Sequence, residues 1–236
     1  MNRQRMFSSA VFLCSIFGTS ISNASLVLSE VMYDPSSTDN NLEWIEIFNN
    51  GPSSINLSGY SLGWGGNDYT YGNLTLSGSI ASGSYFVIGG PSSDATNANP
   101  LFDLAIDFSP DMQNGGTQSD GVALFNITAD MITAGSIPID AVIYDLDGNL
   151  AGLLGADGLA AMPMVGDAPA GSSIERMDLI GNWAIQSTPT PGFGPLVYEG
   201  SNEQVSPVPL PPSLAMFIPG LLSLFGIQRF SRRQPS

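Results

Sequence analysis

Residues 29–50 read SEVMYDPSSTDNNLEWIEIFNN, and this stretch decides the fold. Two strand-like runs, 26–33 and 43–49, rich in Val, Ile, Trp, Phe and Tyr, flank a polar segment holding Asp34-Pro35, Thr38, Asp39 and two Asn. That composition and punctuation predict strand–loop–strand. In the second run Ile45 and Ile47 point to one face, while Trp44, Glu46 and Phe48 point to the other. Large apolar groups on both faces predict a strand in a sheet interior rather than at an edge.

Outward from this stretch the pattern repeats. Short apolar runs recur at turn-punctuated intervals: 55–66, 73–76, 84–90, 122–127, 137–144, 173–177 and 182–185. Residues 101–108 alternate Phe102, Leu104, Ile106 and Phe108 with Asp103 and Asp107, as a half-buried strand does. Residues 151–171 are weakly patterned and read as a long loop or one helical turn. About eight or nine short strands in an all-β chain make a β-sandwich. The 236 residues hold 27 Gly and 17 Pro and are 11% charged, which suits turns and short strands better than long helices.

The charge is lopsided. Six Arg and no Lys oppose 21 acids, for a net −15. All the acids lie between Glu30 and Glu203, where the single basic residue is Arg176. A segment this acidic repels phosphate backbones, which excludes nucleic acid as a partner. Absence of His removes Ser–His and Cys–His dyads and the usual zinc sites. Absence of Lys removes Schiff-base chemistry and a P-loop. Cys14 is the single cysteine, so no disulfide forms within the chain.

Both ends read as targeting segments. Residues 1–24 carry Arg3 and Arg5, an apolar run and small residues before a break between Ala24 and Ser25, as in a secretory signal peptide. The general secretion machinery is the implied partner. Residues 197–207 form a polar linker. Residues 208–236 have a Pro-rich entry, an apolar stretch over 213–228 and a basic end. The run from Leu214 to Ile227 makes roughly 21 Å of helix, short for a bilayer core of about 30 Å. The basic end stays cytoplasmic, leaving the domain outside.

The opening stretch resembles the start of bacterial secreted lamin-tail domains. The matching residues are Ser29, Glu30, Val31, Tyr33, Pro35, Glu43-Trp44-Ile45-Glu46, Asn49 and Leu57-Ser58-Gly59. A closing signature is similar too: Ser173-Ile174-Glu175-Arg176, Asn182-Trp183 and Pro189-Thr190-Pro191-Gly192. The resemblance covers a domain over 25–196. It implies an immunoglobulin-like β-sandwich used for binding or scaffolding, with no known catalytic residues. The tail resembles the PEP-CTERM sorting signals of VPLP type, through Val208-Pro209-Leu210-Pro211, the apolar run, and Arg229, Arg232 and Arg233. That resemblance implies a Gram-negative bacterium and cleavage by an exosortase-type membrane protease. The protein would be transiently anchored in the inner membrane, then passed to the cell surface or exopolysaccharide matrix.

Carboxylates are the strong acid–base groups left, so a glycan hydrolase is the enzyme class to weigh against a non-catalytic module. Glu43 and Glu46 are three apart on a strand and so face opposite ways, which denies them a sugar to share. Their alternative role is hydrogen bonding within the fold. A calcium-dependent adhesin is another reading. Asp34, Asp39 and Glu43 could gather around a cation. Asp145-Leu146-Asp147-Gly148-Asn149 looks like half a calcium loop, but its Gly comes early and Ala156 stands where the bidentate Glu belongs, so an Asp-Gly turn fits as well. Trp64, Tyr69 and Tyr71 read either as cross-strand packing or as a sugar-stacking platform. The expectation is an exported, non-catalytic structural or binding module that meets extracellular polysaccharide and needs no cofactor.

Overall fold

The computed structural model describes residues 25–115, 118–145 and 152–198, all within one compact unit. The secretory segment before Ser25, the sorting motif Val208–Pro211, the apolar stretch 213–228 and Arg229, Arg232 and Arg233 lie outside the described residues. Among the described residues no helix is long and apolar enough to cross a membrane.

The described residues are all-β, with twelve strands joined by turns and three short 3₁₀ turns. In chain order they are β1 (Leu26–Met32), β2 (Trp44–Asn49), β3 (Ile55–Asn56), β4 (Ser61–Gly65), β5 (Gly72–Thr75) and β6 (Ser79–Ile80), followed by β7 (Tyr85–Gly89), β8 (Leu104–Ala105), β9 (Asp120–Phe125), β10 (Asp140–Tyr144), β11 (Ser173–Arg176) and β12 (Trp183–Gln186). One sheet has the order β12-β11-β1-β2-β7-β8, a second β10-β9-β4-β5, and β3 pairs with β6 alone. Every pairing is antiparallel except β7 with β8.

β2 lies between β1 and β7, as its two apolar faces predict. Ile45 and Ile47 enter the shared core between the two large sheets, with Leu28, Val31, Ile88 and Ile174 from their own sheet and Leu62, Trp64, Val122 and Val142 from the other. Burying a Leu, Ile or Val fully is worth about 1.5–3 kcal/mol, so this cluster is the main stabilising element. The other face of β2 is not wet either. Trp44 packs with Met32 and Val87, and Phe48 with Val27 and Leu196. Loops cover both outer faces. On the second sheet Tyr69, Ile132 and Leu153 cover Ala123, Phe125, Ala141 and Ile143. The result is a two-sheet sandwich consistent with an immunoglobulin-like arrangement.

Several expectations need correction. The run 55–66 is not one strand: β3 ends at Asn56, Leu57–Gly59 turn in a 3₁₀ conformation, and β4 starts at Ser61. The Asn56 side chain accepts the Ser58 N–H and turns the chain there. The run 101–108 pairs over Leu104–Ala105 only. The Asp103 carboxylate accepts the Val87 N–H at 2.9 Å and so takes a place that a ladder carbonyl would fill. No helical turn forms over the described part of 151–171, which runs as loop and lends Leu153, Val165 and Ala168 to the cores.

β1 and β2 change register between Leu28 and Glu30. The irregularity is held by an ion pair joining the two large sheets. Arg176 on β11 donates Nη2–H bonds to both Asp140 oxygens on β10 at 2.6 Å, and its Nε–H to the Leu28 carbonyl at 2.7 Å. Asp140 Oδ2 accepts the Leu28 N–H at 2.7 Å. The guanidinium lies 5.0 Å from the Trp183 ring. Burial raises the Asp140 pKa and Arg176 opposes it; burial is the larger effect.

Candidate functional site

Two groups of residues carry the chemistry, and they lie on different parts of the sandwich. The first is a row of glutamates. Glu30 on β1 sits across from Glu46 on β2 and from Glu175 on β11. All three carboxylates point to the outer face of the six-stranded sheet, where Thr190 and Gly192 close over them. Ser29 Oγ donates to Glu46 at 2.7 Å, and Ser173 Oγ donates to Glu30. The Thr190 N–H bonds Glu30 at 3.1 Å, and its hydroxyl reaches both Glu30 at 3.2 Å and Glu175 at 3.3 Å. The Gly192 N–H donates to Glu46 at 2.6 Å, and Gln186 to Glu175 at 2.9 Å. Burial, resisted by these donors and reinforced by the neighbouring carboxylates, pushes Glu30 up to about 7 and Glu46 up to about 8. Glu30 and Glu46 expose no surface at all.

The second group is a cleft of about 660 Å³ at the loop end of the sandwich. It is lined by Asn40, Tyr71 and the 107–115 loop. The sandwich fixes this loop from beneath. The Pro110 carbonyl accepts Trp64 Nε1–H at 3.0 Å, and the Gln113 carbonyl accepts the Tyr144 hydroxyl at 2.7 Å. Tyr144 is itself stacked on Tyr33, with ring centroids 4.1 Å apart. Glu43 takes the Met112 N–H at 2.9 Å to each carboxyl oxygen, and Asp107 Oδ1 takes the Asn41 N–H at 2.8 Å. The wall is therefore tethered to the sandwich, while the side chains of Asn40, Asp111, Gln113 and Asn114 make no hydrogen bond within the described residues.

The cleft is electronegative. Burial pushes the buried Glu43 up to about 10, and Asp111, Asp39 and Asp107 add to the shift. Asp39 and Asp111 are raised by partial burial and then by neighbouring carboxylates. Arg176, the single basic side chain between Glu30 and Glu203, is bonded to Asp140 and Leu28.

The sequence-derived candidates fall as follows. Glu43 and Glu46 serve separate partners, Met112 on one hand and Ser29 and Gly192 on the other, as within-fold hydrogen-bonding groups. Among the described residues no three acidic, Cys or His side chains are placed to hold a metal ion, so Asp34, Asp39 and Glu43 do not form the cation cage considered above. Asp145 is described, with its carbonyl accepting Ser119 Oγ–H at 2.9 Å; Asp147 lies outside the described residues. Of the three aromatics, Trp64 and Tyr69 are buried packing residues, and Tyr71 is half exposed at the cleft. Sequence reasoning missed the glutamate row and the 107–115 wall. A signal for the row was present: the SEV, EWIE and SIER motifs each bring one Glu to it. What the motifs lack is the strand register that aligns them.

Comparison with known proteins adds a family. The family model of the Lamin Tail Domain matches residues 19–145, which takes in β1 through β10. Among solved structures the chain is similar to a DUF4876 family protein from Bacteroides thetaiotaomicron, at 14% identity over 75% of this chain and 73% of that one, with a TM-score of 0.37. No curated protein matches the chain.

Proposed function

This chain belongs to the lamin tail domain family, and on that premise we propose that it is an exported, non-catalytic binding module for extracellular polysaccharide. The observation that carries the reading is the cleft. A preformed polar wall with free amide and carboxyl groups, beside a half-exposed tyrosine ring, is what a hydroxyl-rich ligand needs. The ring face of Tyr71 takes the apolar face of a sugar, and Asn40, Asp111, Gln113 and Asn114 take its hydroxyls. The secretory pattern of residues 1–24 and the VPLP-type tail fit export, sorting by an exosortase-type protease, and residence at the surface or in the matrix.

The non-catalytic part of the proposal rests on where the carboxylates are. The facing acids that glycoside hydrolysis would use, Glu30 and Glu46, are sealed beneath Thr190 and Gly192 and fully taken up by hydrogen bonds. The test is a glycan array probed with the full chain, followed by turnover assays on every glycan retained. Binding that falls at least tenfold in Tyr71→Ala and in Asp111→Asn, with no product released, is the expected result. Product release would make the chain a hydrolase, and binding untouched by both substitutions would remove the cleft from the account.

A further inference from the structure

The sequence holds two Asn-Gly pairs, Asn50-Gly51 and Asn114-Gly115. Such a pair can react with itself. The glycine nitrogen attacks the side-chain carbon of the asparagine, and the missing Cβ leaves the approach open. The structure treats the two pairs in opposite ways.

Gly51 is held from several sides. It is buried, its N–H donates to Asn49 Oδ1 at 2.8 Å, and its carbonyl accepts the Ser82 hydroxyl at 2.5 Å. A Cβ added there would lie 3.0 Å from Asn49 Oδ1 and 3.1 Å from Ser25 Cβ. The side-chain oxygen of Asn50 is buried as well. The Gly51 nitrogen cannot turn toward Asn50 without breaking these bonds and displacing close neighbours.

Gly115 is exposed, and a Cβ added there would meet no atom within 4 Å. Asn114 lines the cleft, and its side chain makes no hydrogen bond within the described residues. The tethers of this loop at Pro110, Met112 and Gln113 all come before Asn114. The Gly115 N–H interacts with the Asp120 carboxylate. A carboxylate beside the reacting nitrogen can receive its proton, which the neutral Asn49 amide beside Gly51 cannot.

We propose that Asn114 is a self-modifying residue of the cleft wall: the Gly115 nitrogen closes a cyclic imide on the Asn114 side chain, ammonia leaves, and water reopens the ring to a carboxylate. The bond from the Gly115 nitrogen to Asn114 Cγ forms as the Cγ–Nδ2 bond breaks. The proton on the nitrogen has Asp120 to receive it and departs on the ammonia. Water then adds to either imide carbonyl, which gives aspartate or isoaspartate at position 114. The cleft lining thereby loses an amide donor and gains a carboxylate in addition to Asp107 and Asp111. This inference does not depend on the cleft holding a glycan.

Peptide mapping by mass spectrometry tests it, on the full chain held at pH 8 and sampled over days, with isoaspartate separated from aspartate. Conversion of amide to acid at Asn114 is expected to run at least tenfold faster than at Asn50. In urea, where the fold no longer distinguishes the pairs, the two rates should come within about threefold of each other. Gly115→Ala, which the open space admits, should slow conversion at Asn114 at least fivefold in the folded chain without lowering Tm. Equal rates at the two pairs in the folded chain overturn the proposal. So does an absence of conversion at Asn114, or a rate there that Gly115→Ala leaves unmoved.

Discussion

Removing Arg176 should damage this fold more than any other charge change. Arg176→Met keeps much of the side chain's bulk but strips Asp140 of its counter-charge. The buried Asp140 is then left with backbone donors, the Leu28 N–H among them. The Leu28 carbonyl loses its Nε–H donor, and Trp183 loses the cation over its ring. Breaking a buried ion pair by removing one partner costs about 3–5 kcal/mol. An orphaned buried carbonyl adds about 1–3 kcal/mol, although these costs overlap. A total near 5 kcal/mol corresponds to a fall in Tm of roughly 10–20 °C for a domain of this size. Urea denaturation measures it, and two further results identify the cause. Arg176→Met/Asp140→Asn should recover about half the loss, because Asn removes the stranded charge and still accepts the Leu28 N–H. The single variant should also gain stability as pH falls from 7 to 5. Without the guanidinium, burial raises Asp140 further, so the folded state takes up a proton that the unfolded chain does not. A single variant within 1 kcal/mol of wild type, or no rescue by Asp140→Asn, would refute the claim that this pair holds the two sheets at the β1 irregularity.

The other predictions use the remaining acids and the tail. Glu43→Gln should stabilise the protein by about 2–3 kcal/mol at pH 7 in urea denaturation: folding must protonate a carboxyl whose pKa rises from 4.5 to about 10, a cost that Gln avoids and that vanishes near pH 4.5. Loss of stability in this variant at pH 7 would mean that Glu43 is buried as the anion. Calcium and sodium at matched ionic strength should shift Tm equally, because no three ligating side chains gather among the described residues; a larger calcium shift would point to Asp145 and Asp147. Protein recovered from its native host should end near Pro209–Pro212, and Pro209→Ala/Pro211→Ala should keep the full-length form in the inner membrane, because helix could then form across the cut. An intact mass that still includes Leu221 through Arg233 would make the tail a plain anchor.

The central part of this fold was legible for a physical reason. β2 carries Ile45 and Ile47 on one face and Trp44 and Phe48 on the other, and a strand with two apolar faces must be covered twice. What covers the second face was not legible, because Leu196 comes from a loop with no period to read, and the alternation around Phe102 does not say which face it covers. Residues 101–108 show the opposite failure. Their alternation is real, but Asp103 occupies a ladder position with its carboxylate and most of the run goes unpaired. Trp64, Tyr69 and Tyr71 look alike in sequence. Gly72 lies against the Trp64 indole and lets it sink into the core, whereas Tyr71 stays half exposed. The glutamate row needed two registers at once, Glu30 with Glu46 and Glu30 with Glu175. Motif spacing does not supply either.

The formal charge of −15 also misstates what surrounding molecules meet. Glu43 and Glu46 have folded-state pKa values above neutrality, and Glu30 sits near it. Two to three of the acids therefore hold protons at pH 7. They are the acids of the opening motif, the feature that makes the sequence look rich in catalytic carboxylates. Inside the sandwich these groups work as hydrogen-bond acceptors that fix strand β2 to the Met112 loop on one hand and to the 190–192 segment on the other. Two aspartates, Asp107 and Asp111, line the cleft, and Asp39 lies near enough to Asp111 to be raised by it. A ligand approaching the cleft meets a negative rim, so anionic polysaccharides should be disfavoured against neutral ones, and added salt should narrow the difference.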